Sequence, residues 1–250
     1  MKSFAITVLS LFVLCAGARA GLEMKPVPGE HGAPSGMEFF RDSRRVALQT
    51  LDSAGVPLRT EGKIPDGTFR EFYPGGRVKQ ELAYKNGKIN GTAKAFYPDG
   101  KQMKDMALKN GKCEGKVRSW SENGTLREEY ACKAGKWEGI FRTYTGKGAL
   151  ETEEVYKNGE RNGYSRVYYP DGKTLHEEHM FANSRRNGVS KVFYENGKAQ
   201  METNFKNGLF DGAVKTYYSN GALMFDDIYK DGKQISRKTY SINGKPAPVK

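Results

Sequence analysis

Apolar and polar positions alternate along most of this chain in short runs, and each run stops at a glycine. Thr92 to Tyr97 is one such run and Lys101 to Leu108 the next. Alternation at period two is the signature of a half-buried strand. The breaks have their own chemistry. Tyr97-Pro98-Asp99-Gly100 places proline and glycine where a tight loop wants them. Asn110-Gly111 is a strong short hairpin signal, because both residues tolerate positive φ. No stretch sustains a helical period. The pattern predicts an all-β, antiparallel meander of hairpins.

The breaks recur. The glycine of the first turn stands at Gly76, Gly100, Gly124, Gly148, Gly172, Gly197 and Gly221, with Gly244 as a last echo; the spacing is 24 residues but for one step of 25 and a final 23. The second turn recurs at Gly87, Gly111, Gly135, Gly159, Gly208 and Gly232, with Ser184 in the missing slot. A third glycine recurs at Gly67, Gly91, Gly115, Gly139, Gly163, Gly188 and Gly212. A fixed period of this length marks a repeat architecture. A degenerate first repeat starts at Val46 and turns at Ser53-Ala54-Gly55. The expected fold is an elongated array of about eight hairpins over residues 45–245, closed by a short tail at 246–250.

Before the array, residues 21–44 carry Pro26, Pro28, Pro34, Gly29, Gly32 and Gly36 and read as an extended leader, with Met37 to Arg45 as a short helix or lead-in strand. Residues 1–20 read as a secretory signal peptide. Lys2 gives the positive start, Phe4 to Leu14 the apolar centre, and Ala18-Arg19-Ala20 the cleavage site. The expected location is therefore outside the cytoplasm, periplasmic or secreted, with cleavage after Ala20. The formal charge of +12 becomes +10 once Lys2 and Arg19 are removed.

The units Tyr-Pro-Asp-Gly-Lys and Lys-Asn-Gly-Lys-x-x-Gly, as at Tyr97–Lys101 and Lys109–Gly115, resemble the MORN-variant repeat (membrane occupation and recognition nexus). The resemblance runs over roughly residues 45 to 245. It implies a twisted β-hairpin array with no common catalytic residue, in a family that includes antitoxin-like, envelope and scaffold proteins.

With the YPDG loop taken as four residues, Phe96 pairs with Lys101 and alternation sorts the columns. One face receives Tyr73, Tyr97, Tyr169, Tyr194 and Tyr218, with Tyr84, Leu108, Tyr156, Phe181, Phe205 and Tyr229 further along. The other receives a basic column (Arg70, Lys94, Arg118, Arg142, Arg166, Lys191, Lys215) beside an acidic one (Glu81, Asp105, Glu129, Glu153, Glu178, Glu202, Asp226). Diagonal pairs between these columns fix register more than they form a site. The same register sets Cys113 opposite Cys132. In an exported protein that predicts a disulfide, closing a loop of about 20 residues and adding roughly 3 kcal/mol; the competing reading is two buried thiols.

Two surfaces are candidates for function. The aromatic face, carrying Tyr73, Tyr97, Tyr169, Tyr194 and Tyr218, must be buried by curling of the sheet, by a homodimer or by a partner. The Asn-Gly edge carries Lys85, Lys88, Lys109, Lys112, Lys133, Lys136, Lys157, Lys206, Lys230 and Lys233, with Arg161, Arg185 and Arg186. It suits an anionic membrane or envelope polymer, or serves only to keep the edge soluble. Nucleic acid is not the expected partner outside the cytoplasm. His176 and His179 invite a zinc reading, but three apart in a strand they point to opposite faces. No enzyme, cofactor or metal is expected. The chain reads as a binding protein, its partner most simply another protein.

Overall fold

The structure, a computed structural model, describes residues 21–29 and 34–247. The expected signal peptide and His31 lie outside the described residues. All regular structure among them is β-strand. Contacts divide the chain into two units, one reaching to Gly115 and including Glu122–Gly124, the other holding Lys116–Ser121 and Thr125 onward.

The first unit contains β1 (Leu22–Pro28), β2 (Pro34–Arg41), β3 (Arg44–Leu51), β4 (Pro57–Gly62), β5 (Gly67–Phe72), β6 (Val78–Lys85), β7 (Lys88–Phe96) and β8 (Gln102–Lys109). β9 (Lys112–Trp120) contributes to both units. In the first unit, β1 to β4 form an antiparallel meander and β5 to β8 a second one. They are joined where β1 runs parallel to β5, Glu23 facing Arg70.

This corrects the reading of residues 21–44 as an extended leader with little structure of its own, though a lead-in strand is one of the two expectations for Met37 to Arg45. Pro26 and Pro28 mark an edge rather than a coil, because β1 meets β5 only at Glu23 and its outer side has no ladder to lose beyond that point. The hairpin of β1 and β2 sets Met24 opposite Phe39. Phe39 and Phe69 are fully buried and pack edge-to-face with each other and with Tyr84, at centroid distances of 5.2, 5.2 and 5.5 Å. Such pairs add about 0.5–1.5 kcal/mol beyond area burial. The N-terminal hairpin thus covers one end of the apolar face.

The second unit contains β10 (Leu126–Lys133), β11 (Lys136–Trp137), β12 (Gly139–Tyr144), β13 (Leu150–Lys157), β14 (Glu160–Tyr168), β15 (Leu175–Ala182), β16 (Arg185–Phe193), β17 (Ala199–Lys206), β18 (Leu209–Tyr217), β19 (Leu223–Lys230) and β20 (Lys233–Thr239). β11 and β12 both pair with β10, and from β12 each strand is antiparallel to the next.

Turn geometry sets the register. The Gly100 N–H donates to the Tyr97 carbonyl and the Tyr97 N–H to the Lys101 carbonyl, both at 2.8 Å. The loop therefore has three residues, closed by Gly100 at φ 94°. Phe96 faces Gln102, and one further residue bulges before Ala95 meets Lys104. This corrects the Phe96–Lys101 pairing. It also turns the charge columns from diagonal neighbours into direct opposites. Arg70, Glu81, Lys94 and Asp105 form one continuous row. In the second unit the row runs Glu129, Arg142, Glu153, Arg166, Glu178, Lys191, Glu202, Lys215, Asp226 and Lys238. Within it Arg142–Glu153, Arg166–Glu178 and Lys191–Glu202 close at 2.7, 2.6 and 3.1 Å. Each part-exposed pair is worth about 0.2–1 kcal/mol, and a slip of one residue would lose them all.

The third glycine forms a bulge at Gly91, Gly163, Gly188 and Gly212. At Gly91, φ 117°, four residues of β7 (Ile89 to Ala93 counted as steps) advance against two of β6 (Tyr84 to Leu82). Bulges of this kind bend a strand and raise its local twist. Cys113 and Cys132 are each disulfide-bonded.

Candidate binding surfaces

In the second unit the face opposite the charge row is an inner face. Its central row is Glu154, Ser165, His179, Ser190, Thr203, Val214 and Asp227, each opposite the next. Ser190, Thr203 and Asp227 are only 3%, 2% and 3% exposed. Flanking side chains help to cover this row: Glu177 and Arg186 reach His179, and Gln234 and Arg237 reach Asp227.

Next to that row, on the side of the Asn-Gly turns, stand half-buried rings. Trp137 meets Tyr156 edge-on at 4.8 Å, and Phe205, Phe210 and Tyr229 follow at 4.7 and 5.2 Å. Tyr130 stacks on Phe141 at 5.0 Å. Arg161 and Arg186, expected at the lysine edge, instead reach over Phe181 and Phe205 at 5.3 and 5.4 Å. Cation–π contacts of this kind are worth about 0.5–1 kcal/mol at exposed sites. Arg161 also meets Glu154 at 3.2 Å.

His179 is buried, its Nε2 lying 2.9 Å from Glu177 and 3.2 Å from Arg186. The His179 Nδ1 and Ser190 Oγ have no hydrogen-bond partner. His176 lies elsewhere, 4.6 Å from the Tyr169 ring, so the two histidines do not converge. Among the described residues no group of three or more His, Cys, Asp or Glu is placed to hold a metal ion.

The expected tyrosine column does a different job from an open platform. The Tyr73, Tyr169, Tyr194 and Tyr218 hydroxyls donate to the carbonyls of Phe96, Phe193, Tyr217 and Tyr240, at 2.7–3.0 Å and 22–24 residues on. Each ties a turn to the following repeat. Tyr97 opens the equivalent turn, and burial raises its pKa.

Every lysine of the expected edge is exposed. Lys85 faces Lys88, Lys133 faces Lys136 and Lys230 faces Lys233 across their turns. Lys230 also bonds Asp211 at 2.9 Å, which raises its pKa and lowers that of Asp211. Asp211 belongs to a column that sequence reasoning missed. Asp66, Glu138 and Asp211, each just before a third glycine, accept the turn N–H of Asn86, Asn158 and Asp231 at 2.7, 2.9 and 3.4 Å. Asn187 does the same for Asn207 at 3.3 Å. The signal was present: an oxygen-bearing side chain sits there in every one of these repeats.

The family profile described as "MORN repeat variant" matches residues 65–86, 114–130, 186–207 and 210–231. No curated protein matches the chain. Solved structures do match, among them two at low identity. One, "Crystal Structure of TcdB2-TccC3-Cdc42", is 14% identical over 87% of this chain and 13% of its own, with a TM-score of 0.23. The other, "Crystal Structure of TcdB2-TccC3", is 12% identical over 85% of this chain and 16% of its own, with a TM-score of 0.21. This chain thus spans a small part of either.

Proposed function

The chain is built from repeats of the MORN variant, and from that premise we propose that it is a non-catalytic binding scaffold whose partner is another protein. The observation that carries this is the half-buried aromatic row of the second unit, flanked by Arg161 and Arg186. Aromatic and arginine side chains held in place by their neighbours are the residues that dominate protein interfaces. The disulfide supports work in an oxidising compartment, so the protein acts after export. Antitoxin or immunity activity is one version of this role and rests on the family resemblance alone.

A second reading has its own support. The like-charged pairs Lys85–Lys88, Lys133–Lys136 and Lys230–Lys233 concentrate charge along the turns, which suits the surface of an anionic membrane or envelope polymer. Salt separates the two. Affinity capture from envelope extract is washed at about 0.5 M salt, where screening leaves only a few ångströms of range. A protein retained through that wash, and lost when Arg186 and Phe205 are replaced by alanine in a still-folded variant, supports the scaffold. Lipid or polymer released by the wash moves function to the lysine edge.

A further inference from the structure

One turn of the first unit sets two arginines face to face. Asp42 and Ser43, with φ of 47° and 66°, form a two-residue turn that sets Arg41 directly opposite Arg44. In the charge row Arg70 faces Glu81, Arg142 faces Glu153 and Arg166 faces Glu178. Like charges set opposite one another are destabilising. Arg41 and Arg44 are exposed, like the lysine pairs of the other turns, but they line a cleft of about 1240 Å³ together with Arg45 and Lys63. Its walls also include the crossover after β4, where Ile64 is 3% exposed, and the Asn86-Gly87 turn.

The cleft's lining holds four cations and two carboxylates, so it is net positive. One Asp42 oxygen accepts the Gly21 N–H at 2.8 Å and one Asp66 oxygen the Asn86 N–H at 2.7 Å. Arg45 is held by Glu38 at 2.8 Å. Arg41, Arg44 and Lys63 have no carboxylate partner among the described residues, since the ion pairs there engage other cations. Gly62, at φ 80°, lets β4 press against β3, because an added Cβ would strike the Val46 carbonyl; this close approach fixes where Lys63 leaves the sheet.

We propose that this cleft binds a phosphate-bearing ligand. Two guanidinium forks and an ammonium around one open volume match the tetrahedral, multiply charged oxygens of phosphate, which arginine takes two at a time. The volume exceeds that of a drug-sized pocket, so it accepts a diphosphate or a headgroup as readily as a single phosphate. The site is independent of the protein-binding role, since it lies in the other unit.

The test is calorimetric titration of the full chain with pyrophosphate at about 0.15 M salt, where surface charge is screened beyond about 8 Å. Saturable binding near one per chain is expected. Replacing both Arg41 and Arg44 by Gln should weaken it about tenfold or more, as expected for lost charge-assisted hydrogen bonds. Lys147→Gln with Lys245→Gln, at the other turn edge of the second unit, should leave it unchanged. Thermal unfolding shows whether the Arg41/Arg44 variant is folded; if it is not, the Arg41→Lys/Arg44→Lys pair, which keeps charge and loses the fork, must weaken binding instead. No saturation with the wild-type chain, or equal weakening by the edge variant, overturns the site. A second arm uses phosphatidylcholine vesicles with and without phosphatidylglycerol. Binding to the anionic vesicles that pyrophosphate displaces assigns the phosphate to a membrane headgroup; pyrophosphate binding without vesicle binding assigns it to a soluble ligand.

Discussion

Single residues carry much of the repeat's definition. Gly163, at φ 128°, would place an added Cβ 2.9 Å from that of Val155. Gly163→Ala therefore adds both backbone strain and a clash, at a cost of about 1–3 kcal/mol. Gly139, at φ 86°, has open space around it, so Gly139→Ala should cost less; urea midpoints of the two variants check the order. Tyr194→Phe tests the tyrosine ties. Losing its bond to the Tyr217 carbonyl should cost about 1 kcal/mol, again read from urea unfolding. An equal loss in the control Tyr168→Phe, whose hydroxyl makes no hydrogen bond among the described residues, would remove the argument. The positions of these residues were legible in the sequence, but their roles were not: a period shows that tyrosine is required, while its hydroxyl partner lies a whole repeat away and is fixed only by the stacking.

At the scale of the element, an error of one residue in the loop had a large effect. Tyr-Pro-Asp-Gly is compatible with a three- or a four-residue loop, and the shorter loop together with the bulged residue beside it brings Arg70 directly opposite Glu81. The strands, their order after β5 and their two faces were legible because they need only the period-two pattern. The bulges were not, since an extra residue leaves no mark in alternation until its partner strand is known. β20 offers the clearest test of what the rows contribute. Asp227 is buried, and Arg237 takes both its oxygens at 2.7 Å. Arg237→Met leaves that carboxylate with the Gln234 amide, 3.1 Å from its Oδ1, and no cation. The full penalty for breaking a buried pair is about 3–5 kcal/mol, but Arg237 is half exposed, so about 1–3 kcal/mol is expected. Lys238→Met, next to it on the exposed side, should stay within about 0.5 kcal/mol. Hydrogen exchange of β19 and β20 would show the Arg237 loss locally.

For the whole molecule, the N-terminal segment was the main surprise. Its prolines and glycines resemble a linker, yet Met24, Met37 and Phe39 are spaced to alternate inward once two strands pair, and they close the core over Phe69 and Tyr84. The covering segment could be recognised only with its target in view. That core has a consequence at high pH. Tyr84 is buried, and desolvation pushes its pKa well above the ordinary 10. Burial also raises the pKa of Tyr73, Tyr97, Tyr130, Tyr144, Tyr156, Tyr164, Tyr169 and Tyr217. Above pH 10 the unfolded chain releases these protons and the folded chain keeps them, so the unfolded state binds fewer protons and stability falls as pH rises. The contribution is fully present below pH 10 and is lost on the way up to the folded pKa values. Each proton so held contributes a slope of about 1.4 kcal/mol per pH unit. Urea unfolding from pH 9 to about 11.5 should therefore show a steep alkaline loss, and Tyr84→Phe should make it shallower by close to one proton while lowering stability little at pH 8. A Tyr84→Phe slope equal to that of the wild-type chain would mean that Tyr84 ionises in the folded state, and that the N-terminal hairpin does not seal the core.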